Sequence, residues 1–246
     1  MFKKLLATVG IGGAKVDTIL TSELLSPGDN FSANIVITGG DTEQTISGLD
    51  LALMTRVKVK RDETDMIANQ RIAQWRIADS FVINAGETKT IPFSAQLPYE
   101  TPISANGARN NQTKVWISTG LNIDMAIDAS DKDPLNIIAT SIQNKVLQAM
   151  DLCGYSLVKA DVEEGQLRGN GFVSSIGCYQ ELEFKPNKFA LFGLNEVEVS
   201  FVATPQVTHV LLELDRNFGG DSYRSMSLDN GLSQDQVTAQ IKNFLG

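Results

Sequence analysis

Apolar and polar residues alternate with a period of two along most of this chain. Phe31, Ala33, Ile35 and Ile37 alternate with polar neighbours between a Pro27-Gly28-Asp29-Asn30 turn and a Gly39-Gly40 pair, the pattern of a strand with one buried face. Leu49, Leu51, Leu53, Thr55, Val57 and Val59 form one face of a longer strand, whose other face is Asp50, Ala52, Met54, Arg56, Lys58 and Lys60. Ala73, Trp75, Ile77, Phe81 and Ile83 keep the period, with a bend at Asp79-Ser80 where polar groups fall in the buried phase. Ile91, Phe93, Ala95 and Leu97 follow. Pro92 has no N–H to donate, which places that strand at an edge or a bulge. The longest alternation, Val115, Ile117, Thr119, Leu121, Ile123, Met125 and Ile127, predicts one strand, bent at Gly120, that runs directly into the acidic stretch Asp128–Pro134.

After Pro134 the period changes. Ile138, Ile142, Val146, Ala149 and Met150 follow helical spacing and predict a helix of about three to four turns that stops near Cys153-Gly154. Phe172-Val173, Glu181–Phe184, Glu196–Phe201 and Thr208–Leu214 then read as strands. At the end of the chain Ser233 and Gln236 make a capping box, and Leu232 can staple onto Val237. Val237, Ile241, Phe244 and Leu245 give the final helix one apolar face, which must be buried on the body or in a dimer.

These elements predict a mainly β chain of two antiparallel β-sandwich domains, with one inter-domain helix and a C-terminal helix. Residues 1–13 form an N-terminal segment, 14–130 the first sandwich, 131–225 the second (beginning with the helix), and 226–246 a helical tail. The boundary falls at Ser130–Pro134. Asp128, Asp131, Asp133 and Pro134 are expected to form a hinge whose angle matters to binding.

Charge narrows the choice of partners. The 246 residues carry a formal net charge of -8, the wrong overall sign for gaining affinity by counterion release from nucleic acid. The two halves differ: residues 1–130 hold 12 Lys and Arg against 14 Asp and Glu, and residues 131–246 hold 9 against 15. Within the near-neutral first half, Arg56, Lys58, Lys60 and Arg61 make a basic stripe, joined by Arg71 and Arg76 if Arg56–Ile77 is a hairpin closed at Asp62-Glu63-Thr64-Asp65. Such a stripe is either a solvated sheet face or a docking surface for an acidic partner; Arg56, Lys58, Lys60, Arg61 and Arg76 are the candidate partner surface.

Catalytic and metal chemistry find little support. Asp124, Asp128, Asp131 and Asp133 are spaced by four, three and two, with no Gly and with Lys132 among them, unlike a calcium loop. Glu181, Glu183, Glu196, Glu198 and Glu213 could in principle supply a glycosidase acid and base. Alternation instead puts them opposite Leu182, Phe184, Val197 and Val199, as the exposed side of a sheet. One histidine, His209, excludes a histidine-rich metal centre, and no Ser or Cys sits in a nucleophile elbow. Two cysteines, Cys153 and Cys178, are too few for a disulfide framework and fit a reducing compartment. No catalytic, cofactor-binding or metal residues are therefore assigned. The start, Met1–Gly10, has the positive residues of a secretory signal, but its apolar part is short, Gly10, Gly12 and Gly13 interrupt it, and no Ala-x-Ala site follows. It reads as a short helix packing Phe2, Leu5, Leu6 and Val9 on the first sandwich. The same face with Lys3 and Lys4 would also allow weak membrane-surface contact.

Several segments together carry a family resemblance. They are Phe2-Lys3-Lys4-Leu5-Leu6 with Lys15-Val16-Asp17-Thr18, Pro27-Gly28, Gly39-Gly40, Ile91–Pro98 leading to Pro102, Lys114-Val115-Trp116-Ile117, Asp128–Pro134, Gln180-Glu181-Leu182-Glu183-Phe184 and Leu212–Arg216. Across nearly its whole length the chain resembles the bacterial sporulation-control protein family, whose members have an arrestin-like fold. The resemblance implies a cytoplasmic, non-enzymatic regulator or adaptor acting through protein–protein interaction. Its partners would be proteins, bound by strand addition to a sheet edge, and a homodimer is compatible with this. The competing class is an exported carbohydrate-binding or carbohydrate-active β-sandwich protein.

Overall fold

A computed structural model of the chain describes residues 12–61, 64–188, 194–216, 220 and 222–245. The expected N-terminal helix, the tip at Asp62-Glu63 and Gly219 lie outside these residues. The strands are β1 (Lys15–Leu20), β2 (Leu24–Leu25), β3 (Asn30–Thr38), β4 (Gln44–Arg61), β5 (Thr64–Ala78), β6 (Phe81–Ile83), β7 (Thr88–Gln96), β8 (Asn110–Asn111), β9 (Val115–Ile123) and β10 (Ala129–Ile137). Helix α1 (Ser141–Leu152) leads into β11 (Tyr155–Glu164), β12 (Arg168–Gly169), β13 (Phe172–Val173), β14 (Cys178–Pro186), β15 (Leu194–Ala203), β16 (Val207–Arg216), β17 (Ser222–Asp229) and helix α2 (Gln234–Leu245).

A sheet ordered β1-β3-β7 faces a longer one that runs β17-β16-β15-β14-β11-β4-β9-β10-β2, with β5 and β6 both paired to β4. The alternation read from the sequence supplies the first core. Ile35 and Ile37 of β3 meet Leu49, Leu51 and Leu53 of β4, Ile117 and Leu121 of β9, and Leu135 and Ile137 of β10. In the second half β14, β15 and β16 lay Leu182, Phe184, Val197, Val199, Val210, Leu212 and Leu214 against α1 and α2. Both helices are capped, the second as read. Thr140 and Gln143 form a capping box before α1, and Ser233 and Gln236 exchange bonds of 2.9 and 3.3 Å before α2. The C-terminal helix docks on the body: Val237 and Ile241 are buried beside α1, and Lys145 Nζ donates to Leu232 O at 2.6 Å.

Four sequence expectations change. The predicted Val115–Ile127 strand ends at Ile123, because the chain turns back at Met125, a non-glycine residue at φ 56 that is 90% exposed. Asp128 closes this turn by accepting Ile123 N–H at 2.9 Å. The hinge expected at Asp128, Asp131, Asp133 and Pro134 is corrected as well: after Asp128 these residues belong to β10, which pairs antiparallel with β9 from Ala129↔Leu121 to Leu135↔Val115. Pro134 is tolerated because β10 meets its other neighbour, β2, only at Asn136 and Ile137, so the missing N–H costs no ladder bond. The chain leaves the first core after Ile137, and Ile138 stays outside the helix. Met226–Asp229, expected in a helical tail, completes β17 instead.

Candidate functional site at the junction of the two halves

The two halves meet where β4 and β11 run parallel with the single register pair Lys58↔Glu163. Side chains alternate across a strand, so each strand shows the junction two different faces. Val57 and Val59 of β4 pack with Val162 of β11 and Cys178 of β14 in a small apolar cluster. On the opposite face Lys58 reaches Asp161 Oδ2, which is buried, and Glu163 Oε1 at 3.2 Å. Lys159 shares Asp161 Oδ2 at 3.0 Å and also meets Glu183 Oε2 at 3.4 Å. Lys185 continues the chain of charges, lying 3.2 Å from both Glu183 and Glu196. Burial works against the Lys159 ammonium, but the hydrogen bond and charge of Asp161 outweigh it and hold its pKa above the usual lysine range.

A second seam lies beside the first. The loop between β7 and β9 crosses from one half to the other and is clamped there. Gln180 accepts Ile103 N–H at 2.9 Å and donates to Ile103 O at 2.8 Å and to Thr113 Oγ1 at 2.9 Å. β8, in the same loop, adds a parallel bridge to β11. Glu100 accepts from Ser175 N and Oγ at 2.9 and 2.7 Å. Gln180, at the start of one segment that carries the family resemblance, therefore holds Ile103, the residue that follows Pro102 at the end of another.

The basic stripe read from the sequence is not one uniform surface. Lys58 is committed to the junction. Arg56 donates to Gln112 O at 2.9 Å, and Arg76 is held by Asp50 at 2.7 Å and Ser47 O at 3.0 Å. Lys60 and Arg61 are exposed near the end of the β4–β5 ribbon. The acidic residues Asp131 and Asp133 are likewise tied into the fold; Thr18 N–H donates to Asp131 Oδ2 at 2.7 Å. Burial, then Asp131, Asp17 and Glu23, push the Asp133 carboxyl up to about 6.

The glutamates expected on an exposed face are half-buried, because the sheet curls them toward the junction. Glu181 stands opposite Asp161, Glu183 opposite Glu198, and Glu198 opposite Glu213. Burial first, and then the surrounding carboxylates, push Glu198 up to about 7. Glu196, Glu198, Glu213 and Asp215 line a groove of about 200 Å³. Lys159, Asp161 and Glu163, central to the junction, were missed in the sequence. Their alternation with Ala160 and Val162 marks a strand with one charged face, which would have exposed them.

The geometry defines a two-lobed, mainly β protein of arrestin-like fold, joined by a polar seam. The SpoOM protein family profile matches residues 2–218. The sporulation-control protein spo0M of Bacillus subtilis (strain 168) is 33% identical over 220 residues, which cover 89% of this chain and 82% of that protein. The crystal structure of Spo0M from Bacillus subtilis superposes with a TM-score of 0.83 at 27% identity, over 96% of this chain and 98% of that one. The chain belongs to the Spo0M family of sporulation-control proteins.

Proposed function

We propose that the chain is a non-enzymatic, cytoplasmic regulatory protein that acts by binding other proteins, and that the β4–β5 ribbon is its docking element. One observation carries this reading: none of the 15 residues of β5 is fully buried, and β5 pairs only with β4 among the described residues. Its outer edge therefore offers main-chain groups to an added strand. Met66 and Ile67, 53% and 57% exposed, provide apolar contacts there, and Lys60 and Arg61 on the adjoining strand favour an acidic partner. The name of the Bacillus subtilis relative supports a regulatory role in sporulation control. No helix among the described residues is long and apolar enough to cross a membrane.

The test is affinity capture from host cytosol with the wild type and with the double variant Lys60→Glu/Arg61→Glu, followed by titration of the captured protein in purified form. The reading expects at least a tenfold weaker affinity, which is about 1.4 kcal/mol, with no change in melting temperature. Equal affinity for the two proteins would remove the ribbon as the docking element.

A further inference from the structure

Glu181 occupies an unusual place in the junction. Its carboxylate lies within 4.8 Å of those of Asp161 and Glu163. Two ammonium groups serve this trio: Lys58 contacts Asp161 and Glu163, and Lys159 contacts Asp161 but is shared with Glu183. No ion pair or hydrogen bond reaches Glu181 itself among the described residues. Its strand neighbours do not help. Tyr179 and Glu183 flank it on β14, Ser200 stands nearest on β15 by register, and Glu198 and Glu213 add negative charge from β15 and β16. With all three carboxylates ionised, the trio carries one more charge than its lysines can balance. With Glu181 protonated, the charges of Asp161 and Glu163 match those of Lys58 and Lys159.

We propose that Glu181 is a proton-operated element of the sheet beside the junction: it keeps a proton while β14 lies paired against β11, and losing that proton sets its charge against Asp161 and Glu163 and loosens that pairing. Carboxyl groups sharing a site cannot all ionise cheaply, so one of them holds its proton to high pH. Asp161 and Glu163 each have a direct lysine contact and Glu181 has none, which leaves Glu181 as that group. Burial first, then Glu198, Glu163, Asp161 and Glu213, push Glu181 up to about 8. The unfolded chain releases this proton near 4.5, so the folded junction binds one proton more between these values. Its stability is complete below the lower value and declines as pH rises through the upper one. The pH range of the cell interior falls on that decline, so alkalinisation would loosen β14 from β11 beside the seam without any ligand.

The test follows the Glu181 side-chain carboxyl carbon by NMR in the full chain from about pH 4 to about pH 10, a range that spans the ordinary glutamate value of about 4.3. In parallel, amide exchange at Asp161, Val162 and Leu182 is compared between wild type and Glu181→Gln. We expect the carbon to titrate more than about two units above that ordinary value. We also expect these amides to lose protection at alkaline pH, after correction for intrinsic exchange, in the wild type only. Titration in the ordinary range would overturn the proposal, and so would the same loss of protection in Glu181→Gln. Should that variant fail to fold, the wild-type titration decides by itself.

Discussion

The side-chain amide of Gln180 satisfies both main-chain groups of Ile103, accepting at 2.9 Å and donating at 2.8 Å, in a site where both residues are buried. A strand of the second half thereby fixes a loop that belongs to the first. Truncation to Ala strands a buried N–H and C=O, so Gln180→Ala should cost about 3 kcal/mol in urea denaturation. Gln180→Glu should cost at least as much, because an ionised carboxylate cannot donate to Ile103 O or Thr113.

Lys58 and Arg76 both form ion pairs, but removing them should have unequal effects. The Lys58–Asp161 pair has side-chain exposures of 20% and 3%, and loss of one partner leaves a buried charge on the other. Lys58→Met should therefore destabilise by about 3 kcal/mol. Adding Asp161→Asn in the same chain should recover part of that loss, since the stranded charge is gone. The Arg76–Asp50 pair is more open, with exposures of 45% and 23%, and Arg76→Met should cost at most about 1 kcal/mol. Thermal melts of the four proteins check the ranking.

At Gly40 the constraint is space. A Cβ there would lie 2.0 Å from Gly12 O and 2.7 Å from Gly13 C, and both are main-chain atoms. Gly40 O also accepts Gly86 N–H at 3.1 Å, so this segment cannot retreat without losing a bond. Gly40→Ala should cost roughly 2 kcal/mol, in the range of overpacked sites. Gly120→Ala, with nothing within 4 Å of its Cβ position, provides the control and should be nearly neutral.

Asp133 gives a separate pH signature in the first half. Its carboxyl, raised to about 6 by burial and by Asp131, binds its proton more tightly folded than unfolded. The stability it contributes is present below about pH 4 and is lost as pH rises through about 6. Asp133→Asn should thus raise the melting temperature at pH 8 relative to wild type and leave it nearly unchanged at pH 4. Equal shifts at both values would mean that Asp133 is already charged throughout.

What the sequence disclosed follows from whether a residue's role is local. The β3 and β4 alternations, the break at Asp79-Ser80 and the Ser233–Gln236 capping box depend on neighbours a few positions away, and they emerged as expected. β10 was hidden because Ser130, Asp131, Lys132, Asp133 and Pro134 are polar or unable to donate on both faces. Its apolar anchors, Leu135 and Ile137, come only at the end, so an edge strand looked like a connector. The junction was hidden for another reason. Alternation shows that Lys58 and Asp161 each leave the core face, but not that β4 and β11 meet. That meeting is decided by how the whole sheet closes, and it turns part of an apparently solvated basic stripe into a structural lock.

The Lys58–Asp161 contact is held here to be what keeps the two halves in one arrangement, and a distance across the junction tests this directly. Spin labels at the exposed positions Thr88 and Asp235, one in each half, can be placed in a Cys153→Ser background, because Cys178 is buried. Pulsed dipolar spectroscopy should give one narrow distance distribution with Lys58 present. With Lys58→Met the distribution should broaden or shift, while far-ultraviolet circular dichroism stays unchanged. Identical narrow distributions in the two proteins would contradict a junction held by this pair.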